Sequence, residues 1–225
     1  MFLRALTRGL ILTLSCAAAV AQQAPAADAP PRVLRYAFPI AETGFDPAQI
    51  SDLYSRTVVA GILETPLAFD FLARPFKLKP NTAAEMPQIS ADFRTFTFRL
   101  KPGIYFADDP AFQGRRRELV AADYVYSLKR HFDPRWNSPN LYRLENAKIL
   151  GLSELRRQVV KDKTPFPYDQ EVEGLRALDR YTFQVRLAEP APRFHQDVMT
   201  DAGSFGAVAR EVVEAYGDKI MEHPV

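Results

Sequence analysis

Apolar and polar positions follow two different periods along this chain. Residues 95–100 alternate strictly, with Phe96, Phe98 and Leu100 opposite Thr95, Thr97 and Arg99. That period of two predicts a half-buried strand, closed by the Lys101-Pro102-Gly103 turn. Residues 181–187 repeat the pattern, with Tyr181, Phe183, Val185 and Leu187 on one side. A shorter β-prone run, residues 33–38, ends at Pro39 and predicts a first strand, followed by a turn over residues 44–47.

Helical spacing takes over elsewhere. Ile50, Leu53, Tyr54, Val58, Ile62 and Leu63 predict a helix over residues 50–64 that Pro66 ends. Residues 121–132 predict a second, with Val125, Leu128 and Phe132 on one face and Asp123 in the first turn, where the helix dipole favours a carboxylate. A last helix spans residues 209–216 and stops at Gly217. Strands and helices are interspersed without an internal repeat, so the fold class is mixed, α/β or α+β.

The first 21 residues read as an export signal. Arg4 and Arg8 precede an uncharged run over residues 9–21, and Ala19-Val20-Ala21 supplies a small-x-small cleavage pattern before Gln22. That run is shorter than the ~20 apolar residues that span a bilayer. Cys16 opens a second route, lipoprotein anchoring, but Thr13 stands where such a signal carries leucine, so soluble export is preferred. Residues 22–32, rich in Ala and Pro, read as a flexible linker.

Composition narrows the function classes. With 29 Lys+Arg against 27 Asp+Glu, the chain has no electrostatic footprint for nucleic acid. A single Cys excludes an internal disulfide framework. His131, His195 and His223 are scattered and fit no zinc motif, and neither a Gly-x-Ser-x-Gly elbow nor a phosphate-cradling Gly-x-x-x-x-Gly-Lys loop is present. Asp108-Asp109 reads as a solvated turn and Arg115-Arg116-Arg117 as an exposed loop. His131 reads as a helix-end residue aiding the last carbonyls, and Trp136 as a packing residue in preference to a ligand-stacking one.

Four segments, in order, resemble the extracellular solute-binding proteins of family 5, the peptide- and oligopeptide-binding receptors of ABC importers. Phe45-Asp46-Pro47 is similar to the family's Leu-Asp-Pro turn. The block Phe96-Thr97-Phe98-Arg99-Leu100-Lys101-Pro102-Gly103-Ile104-Tyr105-Phe106 is similar to its Tyr-x-Phe-x-Leu-Arg-x-Gly-Val-x-Phe segment. Ala122-Asp123-Tyr124-Val125-Tyr126-Ser127-Leu128-Lys129-Arg130 resembles Ala-x-Asp-Val-x-Phe/Tyr-Ser-x-x-Arg, with Asp133-Pro134 following. Ala177-Leu178-Asp179-Arg180-Tyr181-Thr182 and then Leu187-Ala188-Glu189-Pro190-Ala191-Pro192 complete the set.

The resemblance implies a periplasmic binding protein-like fold of type II. It divides the chain into a first-lobe segment over residues 33–64, a mixed subdomain over 65–206 and the start of a return to that lobe over 207–225. Family members are more than twice as long and have two lobes, so the resemblance implies the amino-terminal part of a receptor, with the second lobe absent. It further implies a peptide or similar small solute as ligand and membrane permease subunits as partners. A periplasmic location, a monomeric state, no cofactor or metal and no catalysis go with it. Carried over by position, Ser51, Asp52 and Leu53 are ligand-binding candidates, Asp52 either pairing with a ligand's amino terminus or capping the following helix. Asn140 and Tyr142 are candidates from a segment that reaches the cleft, Tyr142 being equally readable as core. Alternatives left open are a receptor for a metal chelate, haem, sugar or opine, an inert fragment, and an exported hydrolase.

Overall fold

The computed structural model describes residues 33–223. The export signal, Cys16 and the linker over residues 22–32 lie outside them. The chain divides into two units, residues 1–37 and 38–225. Of the first, residues 33–37 are described, and they are exposed and form no regular secondary structure. No strand forms over residues 33–38, contrary to the expectation from sequence. Local β propensity does not by itself supply the neighbouring strand that a ladder needs.

In the second unit, helix α1 (Leu53–Val59) is followed by strands β1 (Leu67–Asp70) and β2 (Lys77–Pro80), which pair as an antiparallel ribbon. Strands β3 (Gln88–Ile89) and β4 (Thr95–Arg99) come next, then helix α2 (Ala121–Arg130), α3 (Leu141–Asn146) and α4 (Leu152–Asp162). Strands β5 (Leu175–Ala177) and β6 (Thr182–Arg186) return the chain to the sheet, and helices α5 (Phe194–Asp197), α6 (Ala202–Phe205) and α7 (Arg210–Tyr216) close the described region. The main sheet runs β3-β4-β6-β5 with every pair antiparallel, so the mixed class takes its α+β form.

The two alternating segments are the central strands of that sheet. Their register sets Phe98 opposite Phe183 and Phe96 opposite Val185, all fully buried on one face. The rings of Phe98 and Phe183 stack at 4.9 Å, and Tyr124 of α2 stacks on Phe183 at 5.3 Å. Cross-strand aromatic pairs of this kind are where a sheet draws its stability.

Two expected helices differ from their sequence reading. α1 covers seven residues where residues 50–64 had helical spacing. The Asp52 side chain caps its start at Ser55 N, and at its end Gly61 N turns back to the Val58 carbonyl. Helix α2, expected to bury one face, is buried almost all round, with Val125 only half-buried. It lies between two apolar clusters. Tyr124 and Leu128 enter the one built on the sheet, while Tyr126 enters the one formed by Ile50, Val59, Trp136, Val212 and Ile220.

The sides of α2 that a one-faced helix would show to water are filled by paired polar groups. Arg130 reaches Asp46 through both Nη atoms, at 2.6 and 2.8 Å, and both side chains are sealed from solvent. Gln49 and the Ala48 amide donate to the same carboxylate. Burial alone raises the Asp46 pKa, but the Arg130 charge and these hydrogen bonds outweigh it and hold the carboxyl below the usual range. The Arg130 guanidinium also lies 4.4 Å from the Trp136 ring, which packs in the core as the sequence reading preferred.

His131 departs from its expected role. It is buried against Phe205 with its Nδ1 2.7 Å from Ser138 Oγ. Burial and the neighbouring Arg130 charge push its pKa down to about 3, so the ring is neutral and puts no cation at the helix end. Arg115 and Arg116 are exposed as expected, but Arg117 is half-buried, bridging Asp123 and Glu211. Near the end of the described chain, Met221 packs on the Asp46 turn. Phe45 N donates to the Met221 carbonyl at 2.8 Å, and a β-carbon on Gly44 would fall 2.9 Å from that oxygen, so only glycine fits there.

Removing one side of the Asp46–Arg130 pair strands a buried charge. We expect Arg130→Met to lower stability by about 3–5 kcal/mol in urea unfolding followed by circular dichroism, with Asp46→Leu in the same chain recovering most of the loss.

Candidate functional site

The segment that holds the first three candidate residues is fixed from behind. Asn140, 6% exposed, donates from Nδ2 to the Ile50 carbonyl at 3.1 Å, and its own amide is received by Ser138 Oγ. Thus Asn140 is a positioning group: it ties the start of α3 to the residue just before Ser51. Ser51 and Leu53 are exposed, Leu53 at 70%, and Tyr142 on α3 is exposed at 62%, which settles it as a surface residue and not core.

Asp52 is the N-cap of α1. Its Oδ1 accepts from Ser55 N at 2.8 Å, and its Oδ2 accepts from Thr43 Oγ1 at 2.6 Å. Desolvation raises its pKa, but these hydrogen bonds win and lower it to about 2, so it stays charged at any physiological pH. Both readings of Asp52 from sequence concern one carboxylate, and the cap is the one with contacts in this structure.

Past Leu53 opens a groove of about 640 Å³, walled by α1, by Ile62 and Glu64 in the segment after it, by Phe69 and Phe71 of the ribbon, and by Asp201 and Gly203. A second groove, about 580 Å³, continues on the other side of Ile62, Leu63 and Glu64, and is lined by Ile104, Tyr105, Phe106 and Ala207. The Ile62-Leu63-Glu64 segment therefore forms a shared wall between two mostly apolar troughs. Glu64 is exposed on it, while its backbone carbonyl is held by Tyr124 OH and Ala207 N.

The inner wall is locked by charge. Asp201 accepts from Arg56 Nη2 at 2.7 Å and Arg143 Nη1 at 2.6 Å, joining α1, α3 and the start of α6. Burial raises the Asp201 pKa, but the two guanidinium groups hold it below the usual range. A β-carbon on Gly203 would stand 2.7 Å from the Arg56 carbonyl, so α1 and α6 touch backbone to backbone. None of these wall residues was foreseen from sequence. Arg56 and Asp201 lie 145 positions apart, and only folding brings them together. Glu64 had one local signal, its place between an apolar helical face and Pro66.

Among the described residues, no group of three or more His, Cys, Asp or Glu could hold a metal ion, and no helix is long and apolar enough to cross a membrane.

An α+β lobe that carries an extended, mostly apolar groove on a charge-locked wall has the architecture of a ligand-binding lobe. The chain belongs to the bacterial extracellular solute-binding proteins, family 5, whose family model (described as its middle part) matches residues 77–225. It is 28% identical over 174 residues to the periplasmic oligopeptide-binding protein OppA of Salmonella typhimurium, covering 77% of this chain and 28% of that protein. To the di/tripeptide-binding protein 2 of Pseudomonas aeruginosa it is 26% identical over 235 residues, covering 99% of this chain and 38% of the relative. Among solved structures it is similar to Haemophilus influenzae OppA in complex with the peptide RPPGFSPFR, with a TM-score of 0.62 and 26% identity. That match covers 80% of this chain and 31% of the other. The chain thus spans about a third of the length of the relatives it matches.

The Asp52 cap gives a pH-dependent test. Its folded pKa lies below the ordinary 3.8, so its contribution is complete above about pH 4 and lost as pH falls through about 2. We expect Asp52→Ala to unfold at lower urea at neutral pH, by about 1 kcal/mol. The gap between variant and parent should then close on acidification across that window.

Proposed function

We propose that this chain is the ligand-binding amino-terminal part of a periplasmic receptor that captures peptides for an ABC importer. The observation that carries the reading is the double trough meeting at Ile62-Leu63-Glu64, with Leu53 at its rim. An extended peptide has side chains that alternate in direction, a row of backbone polar groups and a terminal ammonium. A long apolar trough with an exposed carboxylate at its middle is complementary to that chemistry. The names of the relatives and the peptide in the Haemophilus complex support the same ligand class.

In this reading Ser51, Leu53 and Tyr142 face the ligand, Asn140 holds their backbone in place, and Asp52 both caps α1 and adds negative charge beside the ligand's amino end. Residues 33–64 and 207–225 belong to the first lobe and residues 65–206 to its subdomain, with a second lobe closing on the ligand from elsewhere. The ligand is bound and released without a bond being broken. The exported receptor works as a monomer, handing its cargo to permease subunits at the inner membrane.

Calorimetric titration of the purified chain with a panel of short peptides tests this. We expect at least one class to bind, and Leu53→Asp and Tyr142→Ala each to weaken it about tenfold with the thermal midpoint unchanged, because both side chains are exposed. Failure of every peptide to bind, or cleavage of one by the chain, overturns the reading.

A further inference from the structure

The β1–β2 ribbon leaves the body of the unit at Leu67, which is fully buried. Side chains at alternate positions share a face, so Leu67, Phe69, Leu78 and Phe76 form one apolar stripe, paired across the ladder as Phe69 with Leu78. Burial fades along it. Phe69 and Leu78 are half-buried, while Phe76 is 62% exposed, and the tip residues Phe71 and Leu72 are 84% and 92% exposed. Phe69 and Phe76 meet edge to face at 5.7 Å, so the stripe is ordered up to its exposed end.

The opposite face and the turn carry cations. Lys77 and Lys79 are exposed on the other side of β2, and Arg74 is exposed in the turn. Arg74 donates through Nη1 to the carbonyls of Phe71 and Ala73, which fixes the tip but leaves its charge unmatched. The nearby carboxylate, Asp70, accepts from Leu72 N and holds the same turn. Among the described residues, none of these three cations is ion-paired, whereas Arg56, Arg117, Arg130, Arg143, Arg180 and Arg210 all are. Three cations against one carboxylate over residues 70–79 exceed the near-neutral balance of the whole chain.

We propose that this ribbon is a membrane-surface contact, its occupant an anionic lipid bilayer. Phe71, Leu72 and Phe76 enter the boundary between headgroups and acyl chains, and Arg74, Lys77 and Lys79 lie against lipid phosphates. The shape favours a lipid surface over a folded partner. The apolar groups sit on a projecting tip, which a fluid interface accepts without a preformed socket, and the cations flank it where headgroup phosphates stand. Phe71 also walls the trough past Leu53, so the two readings share that side chain, while Leu72, Phe76 and the three cations line neither trough.

The apolar first 21 residues offer lipid a second route, so the test reads the ribbon locally. The full chain carrying Cys16→Ser and Leu72→Cys, labelled at position 72 with an environment-sensitive dye, is mixed with vesicles of phosphatidylglycerol and phosphatidylcholine in equal parts. We expect a blue shift with these vesicles, little with phosphatidylcholine alone, and its loss when salt is raised from about 0.05 M to about 0.5 M. Lys77→Ala with Lys79→Ala should raise the lipid concentration for half-maximal shift about tenfold or more. Phe76→Asp should abolish the shift, with far-ultraviolet dichroism of both variants unchanged. No shift, or an equal and salt-insensitive shift with uncharged vesicles, overturns the proposal. So does a shift that appears without lipid on raising protein concentration, which would make the tip a contact between copies of the chain.

Discussion

The bidentate pair of Asp46 and Arg130 is the constraint around which the other contacts are arranged. An aspartate and an arginine removed from water are tolerable only when each satisfies the other, so the Asp46 turn and the end of α2 must meet in one geometry. With that distance fixed, the Ile50 carbonyl falls within reach of Asn140, and α1 starts where Asp52 can cap it. The groove wall then rests on a second charge lock, Asp201 with Arg56 and Arg143. That lock lies in the groove wall itself, so the trough is mostly apolar with one ion-paired side.

This arrangement explains what the family-like segments do. In the Ala122–Arg130 segment, Tyr124 holds the Glu64 carbonyl, Ser127 donates to the Asp123 carbonyl and receives Val208 N, and Arg130 takes Asp46. Each reaches a part of the chain distant in sequence. The segments that carry the resemblance are thus the ones that join the lobe together. One of them also reaches a groove, since Ile104, Tyr105 and Phe106 line the second trough.

Legibility from sequence followed the same division. The central strands were plain, because alternation over five or six residues with Phe on one side admits one burial pattern. α4 was missed, although Leu152, Leu155 and Val159 are buried at helical spacing. The β1–β2 ribbon escaped notice because each strand is only four residues long and its tip is not buried. The all-round burial of α2 was not readable, since it depends on partners over 80 positions away, whereas the ends of α1 are set by the Asp52 cap and the turn at Gly61. At the site, position alone pointed to the exposed Ser51, Leu53 and Tyr142, while Asn140 and Asp52 turned out to be engaged by the fold. The lock of Asp201 with Arg56 and Arg143 is a product of tertiary contact and has no local signature.

The close approach of Gly44 and Met221 bears on how such a lobe is inherited. The backbone enters and leaves the region between these residues at points one hydrogen bond apart. A stretch whose ends lie side by side can be lengthened or exchanged within while its two ends stay where they are. Changes in the ribbon tip or the trough walls therefore leave the joined ends of the stretch in register.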